Sequence, residues 1–66
     1  MEKIVDYEVV CYYEESYRKE NEIEHEAEVI VHENKEIALE ERDNARDMPR
    51  FKDAIAYEVT REYKVI

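Results

Sequence analysis

The sequence contains no glycine and no tryptophan, a single proline (Pro49) and a single cysteine (Cys11). Phosphate-cradling loops rely on glycine for close backbone approach, so its absence excludes the common nucleotide-binding loops. Tight two-residue hairpin turns lose their usual residue too. Asn21, Asn34 and Asn44 are left as the expected positive-φ positions. One cysteine cannot form an internal disulfide, and small secreted domains normally need several, so a cytoplasmic protein is expected. No apolar run approaches the roughly 20 residues that span a bilayer. The opening residues Met1-Glu2-Lys3-Ile4-Val5-Asp6 also lack the basic-then-apolar order of a signal peptide. Basic residues are scarce, ten against nineteen acidic ones, for a net charge of −9. Such a charge repels nucleic acid and anionic membrane and attracts basic protein surfaces.

What is present is enough for one small core. Hydrophobic residues make up 44% of the 66, too many for a disordered tail. Residues 1–66 read as one domain, without linker, repeat or low-complexity segment. Alternation from Lys3 to Tyr17 predicts a first strand with Val5, Tyr7, Val9, Cys11 and Tyr13 facing inward. Ile23 to His32 alternates more cleanly and predicts a second, with Ile23, His25, Ala27, Val29 and Val31 inward and glutamates outward. The polar Arg18-Lys19-Glu20-Asn21 is the natural turn between them. Asn34 reads as a helix N-cap and Lys35 to Asp47 as the helix, with a thin apolar stripe of Ile37, Ala38, Ala45 and Met48. Pro49 disfavours a helical Met48 and ends it. Phe51 anchors the return, and a third strand runs from Ile55 with Ile55, Tyr57, Val59, Arg61 and Tyr63 inward.

This β-β-α-β order predicts an α+β domain, a three-stranded antiparallel-type sheet of spatial order 2-1-3 with one helix on one face. The second and third strands, joined through a helix, are expected to be parallel with a right-handed crossover. The face opposite the helix is expected to carry Ile4, Val10, Tyr12, Ile30, Ala54, Ala56 and Ile66 among the glutamates. Apolar residues grouped there would indicate a buried contact, a homodimer or a partner, whereas scattered ones would indicate nothing.

The most distinctive pattern is the row Glu22, Glu24, Glu26, Glu28. On a strand, alternate residues lie about 7 Å apart on one face, a regular charge row like that of a nucleic-acid backbone. Asp6, Glu8 and Glu14 extend the same surface if the first strand is adjacent. One reading is a decoy that occupies a cationic nucleic-acid groove. The other is a solvated strand that uses charge against edge-to-edge pairing. A flat row does not converge oxygens as calcium requires, so no metal and no cofactor is expected. His25 and His32 fall on opposite faces and lack a second ligand pair. The negative surroundings of Cys11 disfavour a nucleophilic thiolate. Paired carboxylates are uninformative where carboxylates are everywhere, and nothing supports an enzyme. Tyr12 points outward and Tyr17 lies near the hairpin tip, which makes them the candidate interface anchors. Arg42, Arg46, Arg50 and Lys52 gather at the helix C-terminus, where cations complement the dipole and Asp43 and Asp47 are near enough to pair.

From Ile23 to Leu39, the acidic alternating strand followed by Asn34-Lys35-Glu36-Ile37-Ala38-Leu39-Glu40 resembles small phage and mobile-element proteins of ββαβ layout, including anti-CRISPR and anti-restriction inhibitors. The resemblance implies a nucleic-acid mimic in the host cytoplasm. Such a protein would mask a basic surface of a nucleic-acid-handling defence complex through Glu22, Glu24, Glu26, Glu28, Asp6, Glu8, Glu14, Tyr12 and Tyr17. The alternative is a structural module that oligomerises through its open sheet face or a strand edge. A designed origin would also suit the missing glycine and heavy glutamate use, although Cys11 would be an odd choice for it.

Overall fold

The structure, a computed structural model, describes residues 2–66. Its elements run β1 (Glu2–Tyr13), α1 (Glu15–Glu20), β2 (Ala27–His32), α2 (Lys35–Arg46) and β3 (Phe51–Tyr63). The strands form one sheet in the expected order β2-β1-β3, with β1 antiparallel to both neighbours. Strands β2 and β3 therefore run in the same direction. Helix α2 starts where the Asn34 side chain accepts hydrogen bonds from the backbone N–H of Glu36 (2.8 Å) and Ile37 (3.2 Å). It is capped by Asp47, two residues before Pro49.

Local expectations fail at three places. Alternation stops at Tyr13, and the supposed hairpin tip is the short helix α1. Tyr13 and Tyr17 are four apart, a spacing that both a strand and a helix allow, and their rings stack at 5.8 Å with an interplanar angle of 14°. Strand β2 begins at Ala27 rather than Ile23, because Glu22 to Glu26 form the connection out of α1. The chain reverses there through Glu22, at φ 53°, and not through an asparagine. Strand β3 begins earlier than expected, at Phe51.

The faces of two strands are also opposite to expectation. Partners in an antiparallel ladder project to the same side. Cys11 is paired with Glu28 and Ala54, and Val9 with Ile30 and Ala56, so these residues face α2. Val10 is paired with Val29 and Ile55, and Glu8 with Val31 and Tyr57, on the opposite side. The inward row is correct for β1 and reversed for β2 and β3. A register shift between Tyr12 and Tyr13 lets both Phe51 and Ala54 enter the core, although they stand three positions apart.

Side-chain volume explains the reversal. The buried cluster is Val9, Cys11, Tyr13, Ala38, Ala45, Phe51 and Ala54. Where α2 crosses the sheet, Ala38 and Ala45 meet Ala54, so the helix lies close there, and the larger Tyr7, Tyr13, Ile30 and Phe51 share that face. Ile55, Tyr57 and Val59 of β3, with Val29 and Val31 of β2, fall on the face that no helix covers. The molecule measures 46 × 26 × 11 Å. Its long axis reflects the β1 and β3 segments Glu2–Asp6 and Val59–Tyr63, which pair beyond the reach of β2.

Candidate functional site

The face that no helix covers carries a contiguous apolar strip. Its centre is the row Val29, Val10, Ile55, flanked by Ala27 and Tyr12 on one side and by Val31, Tyr57 and Val59 on the other. Val29 and Val31 are 54% and 51% exposed, far above what their apolar side chains would show under a helix. Tyr12 and Tyr57 lie close together, and the Tyr57 hydroxyl is the main cause that raises the Tyr12 pKa. Their rings give this face amphipathic area that orders at little entropic cost.

Charge on this face is partly offset by one cation. Arg61 donates to Asp6 (3.2 Å) and Glu8 (2.8 Å), and both carboxylates are mostly covered. This cation bridges the two carboxylates that sequence reasoning assigned to an acidic partner surface. Arg61 itself belongs to the open face and not to the inward row.

The proposed acidic row is dispersed. Glu22 occupies the positive-φ turn. Glu24 lies in the loop, where its carbonyl accepts from Arg18 Nη2 at 2.8 Å. The Glu26 carbonyl accepts from the Tyr13 backbone N–H at 3.0 Å. Glu28 faces the helix layer and accepts from the Tyr13 hydroxyl at 3.2 Å. Glu14 caps α1. Tyr17 is half-buried against Tyr13 and does not project as an anchor. Of the nine expected partner-binding residues, Asp6, Glu8 and Tyr12 are brought together on the open face and the other six are not.

The histidines exchange environments. His25 is exposed beside Tyr13, at 6.2 Å between ring centroids. His32 is half-buried and pairs with Glu41 of α2. The basic cluster is occupied locally. Arg42 pairs with Asp43 at 3.0 Å, Arg46 donates to the Ala54 carbonyl at 3.0 Å, and Arg50 lies 5.0 Å over the Phe51 ring. Cys11 is buried, and its pKa is raised by burial first and then by Glu28 and Glu41. Among the described residues no group of three or more His, Cys, Asp or Glu could hold a metal ion. No described helix is long and apolar enough to cross a membrane.

Sequence reasoning placed Ile4, Val10 and Tyr12 on the open face and missed Val29, Val31, Ile55, Tyr57 and Val59. One signal could have found them. Ala54 and Ala56 alternate with the larger Ile55 and Tyr57, so small size marks the side that the helix approaches. Compared with known proteins, the chain matches no family model, no curated protein and no solved structure.

Proposed function

We propose that the chain is a non-catalytic binding module that assembles with a second copy of itself by burying the open face of its sheet. The observation that carries this reading is the distribution of apolar volume. Strand β3 places Ala54 and Ala56 under α2 and Ile55, Tyr57 and Val59 on the side without a helix, where β2 adds the half-exposed Val29 and Val31. Exposed antiparallel faces are normally polar, and a contiguous apolar face marks a contact. Three strands about 4.8 Å apart over the six residues of β2 give a footprint near 14 by 20 Å, which the β1–β3 ribbon extends toward Tyr63. With the β1–β3 ribbon the projected area is about half of the roughly 800 Å² per partner of a standard interface, which fits a weak, concentration-dependent dimer. The pairing of Arg61 with Asp6 and Glu8 partly offsets the charge that a second copy would meet on approach.

The inhibitor reading has separate support in the net charge of −9, which favours a basic protein partner. The two readings respond oppositely to salt. Binding between opposite charges weakens as ionic strength rises, whereas apolar contact between two acidic copies tightens as their repulsion is screened. Amide NMR spectra recorded across protein concentration at low and high salt test the assembly. Concentration-dependent shifts at Val10, Val29, Val31, Ile55 and Val59, stronger in high salt, are expected. Shifts confined to β2 would indicate edge pairing and contradict the face-to-face contact, as would spectra that do not change with concentration.

A further inference from the structure

A second surface lies on the opposite side of the sheet. Helix α2 packs on β1 and β3 and only grazes β2, which leaves a groove of about 340 Å³ between α2 and β2. Its floor is apolar, built by Ile30, Ile37 and Met48. Its rim carries the carboxylates of Glu28, Glu40 and Glu41 against one cation, Arg50. Arg50 lies over the Phe51 ring, Glu28 is held by the Tyr13 hydroxyl, and Glu41 by His32. Glu40 is exposed and has no ion-pair or hydrogen-bond partner among the described residues.

We propose that this groove takes an arginine side chain from a basic peptide segment of a partner protein. An aliphatic floor beneath a carboxylate rim matches the two halves of that side chain. The three-carbon stem covers apolar surface while the head stays among charges. The planar guanidinium offers five donors and binds carboxylates in pairs. Lysine has the stem but only a compact, strongly hydrated head. The sign of the field within the groove agrees with this. The Cys11 thiol at its base is held protonated by burial and by Glu28 and Glu41, with Arg50 opposing more weakly. The volume lies at the small end of ligand sites, suited to one side chain rather than a folded surface. In the self-associated form the groove stays outward, so each copy offers its own.

Fluorescence anisotropy with a labelled oligoarginine peptide tests this, with oligolysine and citrulline peptides of equal length as comparators. Glu40→Gln and Glu20→Gln each remove one exposed carboxylate, the first at the groove and the second on α1. Glu40→Gln is expected to weaken oligoarginine binding about tenfold, and Glu20→Gln by less than about twofold. Oligolysine should bind more weakly and citrulline not at all. Equal losses in the two variants, equal binding of the two basic peptides, or no binding of oligoarginine would overturn the proposal. The neutral double variant Val29→Gln/Val31→Gln keeps peptide affinity whether or not the protein self-associates, so this result bears on the groove alone. Loss of peptide affinity in that variant would place the peptide on the open face and overturn the groove as well.

Discussion

Cys11 is the residue whose surroundings can be tested most simply. Its thiol is almost fully buried between α2 and the sheet, and its pKa is raised by burial, Glu28 and Glu41. The folded-state value lies above the unfolded one. The neutral thiol therefore contributes stability that is fully present below the ordinary thiol range, about 8.5, and lost as pH rises through the folded value. The melting temperature of the wild-type protein is expected to fall as pH rises above the ordinary thiol range, and that of Cys11→Ala to fall less steeply. Parallel slopes would contradict the burial of this thiol. Tyr12 and Tyr13, both raised, add their own loss of stability only at still higher pH. The inward position of Cys11 was legible in the sequence because it lies in the cleanly alternating part of β1. Arg61 was not legible in the same way, because its place depends on which face of β3 turned toward the helix.

At the scale of elements, α2 was read almost to the residue, since Asn34 and Pro49 act through local chemistry alone. Asn34→Ala removes both side-chain hydrogen bonds to the first turn. It should cost about 1 kcal/mol in urea unfolding with an unchanged m-value. A loss below about 0.3 kcal/mol would mean that packing, not the cap, fixes this terminus. Helix α1 escaped detection because its six residues are too few to show a period, and Tyr13 and Tyr17 continue the strand pattern by coincidence of spacing. The faces of β2 and β3 escaped for another reason. Alternation tells which residues share a side but not which side meets the helix, and a one-residue slip exchanges the two. The alanines of α2 settled that choice by volume. The glutamate row failed with it, since its first three members lie before β2 and Glu28 faces the helix layer.

For the whole molecule, the seven-residue buried cluster of mostly small side chains is a slight core even for a short chain. Domains of this size bury only about 60% of the surface that their unfolded chains expose. Covering the open face would add valine, isoleucine and tyrosine area that the monomer leaves in water, and would couple stability to protein concentration. The negative charge then has a second role, keeping other surfaces apart so that association favours the face where Arg61 offsets part of the charge of Asp6 and Glu8. Sedimentation equilibrium of the wild-type protein and of Val29→Gln/Val31→Gln, over a range of concentrations and at two ionic strengths, tests this most directly. A wild-type dimer that tightens with salt, and a double variant that is monomeric with an unchanged far-ultraviolet circular dichroism spectrum, is the predicted result. A wild-type protein that stays monomeric at the highest concentration, or a double variant that dimerises as well as wild type, would contradict it.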